Sequence, residues 1–436
     1  MLNHTLELRH LGPIDECVLS VKQFTILTGP QSNGKSTIAK AIYFFRTIKQ
    51  DILNIMMQGG PRAATGNDDS SWCYALEQRM REKFLQLFGT SWVMPKDMEI
   101  KYTYNSGFWS RVYLVPDQYD YEKNFIKLEF SSGFQDYFRD LGMHSFANIT
   151  TGQKKYEEGN LSKKLNDPYE TVFIPAGRNL ITLLSTQLNY IFTSLESSQL
   201  RSIDYTTKRY TELILKLKPM LEHGMVGCLA DEESDPERMK RYKKHRNAIE
   251  LLFRTAQDIL QGTYRCVDGE ERLYLDERRY IKINFTSSGQ QETVWVFNLL
   301  FYYLLEDRQV FLILEEPESH LYPSSQKAIA ELLALFLNEG NMELITTHSP
   351  YILGTINSLL LAGQSGKNEI LKKHLNPQFW ITPKQTAAYH VQSGKTVQAL
   401  TTEEGLTLID NALIDGASDE INDLTDFVLD LLSSQS

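Results

Sequence analysis

The run Gly29-Pro30-Gln31-Ser32-Asn33-Gly34-Lys35-Ser36-Thr37 lies between an apolar stretch at 24–27 and a helix-compatible stretch at 37–45. A strand that empties into a glycine-bearing loop and then a helix gathers backbone N–H groups and a helix N-terminus around one point, which suits phosphate oxygens. Lys35 is placed to neutralise β- and γ-phosphate oxygens, and Ser36 to set its hydroxyl on magnesium. Gly29, Asn33, Gly34 and Thr37 complete the cradle. The expected ligand is ATP or GTP with Mg2+.

The 436 residues and 42% hydrophobic content suit a globular chain with at least one large core and room for a second. Cys17, Cys73, Cys228 and Cys266 form no CxxC pair and no zinc spacing, and the first residues lack the apolar core of a signal peptide. Reducing cytoplasm is therefore the expected compartment. The apolar run at 310–314 is strand-sized, well short of the roughly 18–20 residues of a membrane span, so no membrane association is expected. A net charge of -10 argues against a uniformly positive surface and leaves a local basic strip possible as a nucleic-acid contact.

Strands are expected at 5–10, 14–21 and 24–28, then a loop at 58–71 and a helix at 72–88. A meander follows at 98–104, 109–115 and 125–130, whose tyrosines read either as half-buried strand residues or as a base-stacking platform. A further strand at 171–175 turns out through Ala176-Gly177-Arg178. Helical patterns at 195–222 and 236–261, separated by an acidic turn at 227–235, read as a hairpin projecting from the rest. Strand character resumes at 280–286, 310–314 and 342–346, and the tail from 406 reads as acidic helix. The resulting division is an N-terminal lobe at 1–185 with the phosphate loop and meander, a helical arm at 186–265, and a C-terminal lobe at 266–436.

Val310-Phe311-Leu312-Ile313-Leu314-Glu315-Glu316-Pro317-Glu318 delivers carboxylates at the end of a buried strand, where unpaired acids are costly unless a cation or hydrogen bonds compensate. Glu315 fits a magnesium ligand, direct or through water, and Glu316 fits the group that orients or deprotonates an attacking water. The competing reading is a surface turn after a core strand. His348, after the apolar run ending at Thr347, reads as a sensor of the γ-phosphate or as a cap on local backbone. Thr286-Ser287-Ser288-Gly289-Gln290-Gln291-Glu292 is a second phosphate-binding candidate ahead of a helix, with Ser288, Gly289 and Gln290 as its contacts.

Taken in order, these motifs resemble those of ABC-type ATPases of the recombination-repair, chromosome-maintenance and overcoming-lysogenization groups: phosphate loop, Ser288-Gly289-Gln290-Gln291 signature, magnesium strand and Thr347-His348-Ser349 switch. The resemblance covers roughly 1–178 and 280–432. It implies an α/β, two-lobed ABC-type ATPase head with an inserted helical hairpin. It also implies a homodimer or higher even-numbered oligomer in which Lys35 of one copy faces Ser288 and Gly289 of another across ATP, closing a C2 interface. Glu315 departs from the aspartate common at its position. Gln153 is the candidate for a glutamine-bearing interlobe loop, while Arg178 is either an interlobe or nucleotide contact or a structural salt bridge.

Together with Glu315-Glu316-Pro317-Glu318-Ser319-His320-Leu321-Tyr322-Pro323, the set is also similar to stand-alone ATPases of bacterial antiphage systems. That likeness implies a separately encoded effector controlled by the ATPase heads. The alternative is a DNA-clamping ATPase of recombination, repair or chromosome maintenance. Its best sequence support is the segment Arg238-Met239-Lys240-Arg241-Tyr242-Lys243-Lys244-His245-Arg246, which reads either as a phosphate-binding strip or as a solvated or docking face paired with nearby acids.

Overall fold

The computed structural model describes residues 4–61, 69–92, 94–116, 124–143, 146, 150–183, 204–232, 236–366, 369–403, 405–410 and 413. An antiparallel hairpin, β1 (His4–Leu11) and β2 (Ile14–Val21), leads through the wholly buried β3 (Phe24–Thr28) into α1 (Lys35–Arg46) and α2 (Ile48–Met57). Helix α3 (Asp69–Phe88) precedes the meander of β4 (Glu99–Asn105), β5 (Phe108–Pro116) and β6 (Asn124–Phe130). Tyr102 and Tyr104 of β4 are buried against His4, Phe45 and Phe134, so these two rings belong to the core and offer no stacking surface.

Helices α4 (Ser132–Gly142) and α5 (Thr151–Lys164) return the chain to β7 (Glu170–Ile174). Next come α6 (Tyr205–Leu217), a 3-10 turn at Lys218–Leu221, α7 (Gly224–Glu232) and α8 (Pro236–Leu260). A small antiparallel sheet of β8 (Thr263–Val267), β9 (Glu270–Tyr274) and β10 (Tyr280–Lys282) follows. The chain then runs through α9 (Ser288–Leu305), β11 (Val310–Glu315), α10 (Pro323–Asn338), β12 (Met342–Thr347) and α11 (Pro350–Gln364). It closes with β13 (Thr386–Gln392), β14 (Lys395–Gln398) and a ribbon of β15 (Leu400–Glu403) and β16 (Leu406–Ile409).

Eleven strands form one sheet in the order β6-β5-β4-β1-β2-β14-β13-β3-β12-β11-β7. The β6 to β2 half is antiparallel, whereas β13, β3, β12, β11 and β7 run parallel to one another. The loops that follow β3, β12, β11 and β7 therefore leave from one edge of the sheet, the position where open α/β sheets hold ligands. Period-two alternation divides the central strands between two cores. Phe311 and Ile313 join the face covered by α1 and α3, and Leu312 and Leu314 join the face covered by α8, α9 and α10. A strand buried on both faces reads as a continuous apolar run, which is why β11 was legible.

Helix α8 does not project as an arm: Ala248, Ile249, Leu252, Ala256 and Leu260 are buried, and the helix lies along α9 in the same core. Burying Ile249 or Leu252 is worth about 1.5–3 kcal/mol each, more than the roughly 0–1 kcal/mol of an exposed ion pair, so the apolar stripe decides where the helix sits. The acidic tail begins as strand β16, and apart from residues 410 and 413 its remainder lies outside the described residues, as do 184–203 of the expected arm. The lobes are also interleaved, since β13 and β14 insert between β3 and β2. Among the described residues no helix is long and apolar enough to cross a membrane.

The basic strip of α8 turns toward the head. Arg241 pairs with Glu306 at 3.2 Å and Lys244 with Asp307 at 2.6 Å. Buried His245 sits between Glu339, 2.5 Å from its Nδ1, and Asp307, 2.9 Å from its Nε2. The bond to Glu339 is the main cause of a pKa raised above the usual 6.5, with Asp307 acting the same way and burial opposing both. Folded protein therefore holds the imidazolium more tightly than unfolded chain does. That stabilisation is complete below pH 6.5 and is lost as pH rises through the higher folded value. Urea unfolding of wild type and His245→Ala across this range should show the difference in stability shrinking as pH rises, and a pH-independent difference would count against the clasp.

Candidate active site

Two glycines shape the loop after β3. A Cβ on Gly29, at φ 132°, would lie 2.2 Å from the Val391 carbonyl oxygen of β13, and one on Gly34, at φ 98°, would lie 2.4 Å from Ile14 Cδ1. Both positions thus demand glycine by space and by backbone angle. Gly34 is the N-cap of α1, so the first amides of that helix open onto the loop. Buried Lys35 donates from Nζ to the carbonyls of Gly29 at 2.6 Å and Pro30 at 2.8 Å, wrapping the loop around its ammonium. Burial lowers its pKa below the ordinary lysine range, while the carboxylates of Glu316 and Glu318 act in the opposite direction. Asn33 donates to the Gln31 carbonyl and accepts from the Ser393 N–H at 3.1 Å, so the β13–β14 turn braces the loop. Ser36 is exposed and Thr37 half-buried.

Glu315 closes β11 with its side chain almost fully buried. Burial pushes its carboxyl pKa up, and hydrogen bonds from the Ser36 hydroxyl and from the Ala176 N–H, 3.1 Å from Oε2, hold it down. Its other oxygen, Oε1, is buried with no hydrogen-bond partner. An unpartnered carboxylate oxygen beside the Ser36 hydroxyl fits a magnesium–phosphate unit, because Mg2+ takes one or two protein oxygens and fills its shell from water and phosphate. Among the described residues no cluster of three or more His, Cys, Asp or Glu could cage a metal unaided. A metal at Glu315 and Ser36 would therefore depend on phosphate for part of its shell.

Glu316 follows in the left-handed region, at φ 43°, an unfavourable setting for a glutamate. Its N–H donates to the Thr346 carbonyl at 2.9 Å, and its Oε2 accepts from the Ser319 hydroxyl at 3.2 Å. His348 Nδ1 lies 4.0 Å from Glu316 Oε1 and 3.6 Å from Glu318 Oε1. Glu318, absent from the sequence-derived site, organises this corner. Its buried Oε1 accepts from the Thr347 hydroxyl at 2.8 Å and the His348 N–H at 3.0 Å, tying the loop after β12 to the loop after β11. The available signal was a third carboxylate within four residues of a buried strand's end.

Arg178 has no exposure to water. Its guanidinium donates to the carbonyls of Pro175 at 3.0 Å, Glu315 at 2.5 Å, Glu316 at 3.0 Å and Glu292 at 3.1 Å, and its Nε lies 3.2 Å from the Glu292 carboxylate. It is thus a structural link between the ends of β7 and β11 and the first turns of α9. Gln153 completes a capping box with Thr150 at the start of α5. Gln290 does the same with Ser287 at the start of α9 and also donates to the Leu260 carbonyl at 2.7 Å, so its side chain is committed to the helix start. Ser288 is exposed, and buried Gly289 passes so near the His320 carbonyl that a Cβ there would come within 2.7 Å.

A family model described as AAA ATPase domain matches residues 4–353. No curated protein matches the chain. Among solved structures, it is similar to an Smc head bound to the C-winged helix domain of ScpA, at 14% identity and TM-score 0.39, covering 91% of this chain and 97% of that one. An Smc head domain with an extended coiled coil, bound to the C-terminal domain of ScpA from Pyrococcus furiosus, matches at 14% and 0.37, covering 98% and 100%. The SMC head domain from Thermotoga maritima matches at 13% and 0.35, covering 94% and 98%.

Replacing Arg178 by methionine should leave the Glu292 carboxylate buried and unpaired, at a cost of about 3–5 kcal/mol. Denaturant midpoints should report that loss, and the double variant Arg178→Met with Glu292→Leu should recover part of it.

Proposed function

This chain belongs to the AAA ATPase domain family, and on that premise we propose that its ATPase works between paired copies and that pairing controls a separately encoded effector in bacterial antiphage defence. The ATPase site is read from one observation: Lys35, Ser36, Glu315, Glu316 and His348 meet where β3, β11 and β12 end. In this reading Lys35 and the amides opening α1 bind the β- and γ-phosphates of ATP. Magnesium held by Ser36 and Glu315 would neutralise charge on those phosphates. Glu316 takes the proton of the attacking water through Oε1, because Ser319 occupies Oε2. His348, fixed by Glu318 through its backbone N–H, donates to the γ-phosphate.

The second copy supplies Ser288 and Gly289. Supporting this is the exposure of Ser288 at the start of α9, with Phe285 just before it 79% exposed and Tyr322, next to the His320–Leu321 turn that Gly289 approaches, 76% exposed. Large apolar rings left in water near a helix N-terminus are suited to cover by a partner. The effector role rests on the sequence likeness to stand-alone antiphage ATPases. Within the basic segment that supports the DNA-clamping alternative, Arg241, Lys244 and His245 are engaged with Glu306, Asp307 and Glu339, which lowers the charge the segment offers to phosphate.

Lys35→Ala should weaken ATP binding and abolish pairing. Glu316→Gln should bind ATP, lower turnover about 10²–10⁴-fold and accumulate the paired state, as read by nucleotide affinity, turnover and molecular mass in solution. Equal affinity and turnover in wild type and both variants would reject the assigned roles. Duplex DNA should leave turnover unchanged, and stimulation by DNA would favour the clamp.

A further inference from the structure

Away from the loops that hold the active site, a groove runs between β7 and helix α6 and continues under α2. Among the described residues β7 has a strand partner on one side only, so α6 rather than a twelfth strand flanks its other edge. The groove has two lobes, of about 310 and 380 Å³, that share Tyr43, Glu170, Thr171, Arg209 and Lys216. Their chemistry differs. The first is walled in part by Val172, Phe173, Tyr210 and Leu213. The second is walled by charged groups and by the rings of Tyr169 and Tyr205.

Seven Lys or Arg side chains line the two lobes against four carboxylates, in a chain whose net charge is -10. Four of the cations have partners: Arg46 with Asp167, Arg79 with Asp51, Arg209 with Glu212 and Arg308 with Glu170. Lys49 is buried and gives its ammonium hydrogens to neutral oxygens only, the Ser162 hydroxyl and the carbonyls of Asp167 and Tyr169. Lys154 and Lys216 have no carboxylate partner among the described residues. Positive charge is therefore left over in the second lobe, where a dianion would be held by charge-assisted hydrogen bonds. The lobe next to it, part apolar and part charged, accepts a flat group with a polar edge, and the combined size is that of a small-molecule site.

We propose that this groove is a second ligand site, which takes a nucleoside 5′-monophosphate group with its phosphate held by Lys154 and Lys216, in the field of Lys49 whose own hydrogens are already given to Ser162, Asp167 and Tyr169, and its base in the lobe beside Tyr43 and Val172. The group is either a free mononucleotide or the phosphorylated 5′ end of a short single strand. The site shares α1 with the phosphate loop, since Lys35 begins that helix and Tyr43 lies in its last turns, but it uses no residue of the ATPase site.

Titration calorimetry of the full chain with AMP and with a 5′-phosphorylated trinucleotide tests this. Wild type and Lys35→Ala should bind AMP alike, because the groove does not include the phosphate loop. Lys154→Glu with Lys216→Glu should weaken binding about tenfold or more for the two lost charged contacts. Lys216→Ala, a milder change at an exposed position, should weaken it less while leaving ATP turnover intact. Binding of both probes would admit a strand end, and binding of AMP alone would identify a free nucleotide. Absence of binding by both probes, or AMP binding that vanishes in Lys35→Ala and survives in the double charge reversal, would overturn the proposal.

Discussion

Arg178 is the tie on which the geometry of this molecule depends. The strands β7 and β11 end side by side, and each end leaves carbonyl groups with no further strand to bond them. One dry guanidinium takes up Pro175, Glu315 and Glu316 from those ends and reaches across to Glu292 in α9. Arginine suits the task because its planar fork presents five donors in fixed directions, which a lysine could not reproduce. Glu292 answers the charge and also accepts from the backbone N–H groups of Arg178 and Asn179. Strand β11 and helix α9 are thereby locked to each other.

Around that tie, three neighbouring glutamates are given different environments. Glu315 faces inward, desolvated, with one oxygen satisfied and one left over. Glu316 is held in a strained backbone setting at the border of water. Glu318 turns back into the protein and holds the backbone of the adjacent loop. Burial together with hydrogen bonding thus gives three carboxylates distinct chemistry over four residues of chain, which is what the roles proposed for Glu315 and Glu316 require. The same logic places Lys35 under opposing influences, burial against two nearby carboxylates.

Much of this could be read from residues alone because local chemistry determines it. Period-two alternation located β1, β2 and the meander, unbroken apolar runs located β3, β11 and β12, and glycines with a following lysine located the phosphate loop. What escaped was set by distant partners. Strands β13 and β14 carry Tyr389, His390, Lys395 and Gln398, too polar to stand out, and their place in the sheet is decided by pairing with β3 and β2. The helix at 236–260 was found with nearly the observed bounds, yet its dense surface charge hid a narrow apolar stripe, so its burial was missed. Gln153 and Gln290 each complete a helix cap, a use that the residues three positions earlier signal.

The central position of β3 has a consequence for how the protein is made. Ile26 pairs with Ile345 on one side and Ala388 on the other, so the strand that feeds the glycine loop gains both neighbours only after residue 388 has left the ribosome. Until then its unladdered backbone and apolar side chains must be shielded by the nascent N-terminal hairpin and α1, or by a chaperone. An incomplete chain would have the glycine loop but neither the Val391 carbonyl that closes over Gly29 nor the Ser393 amide that anchors Asn33. The shape of the glycine loop is thus tied to the arrival of β13 and the turn that follows it.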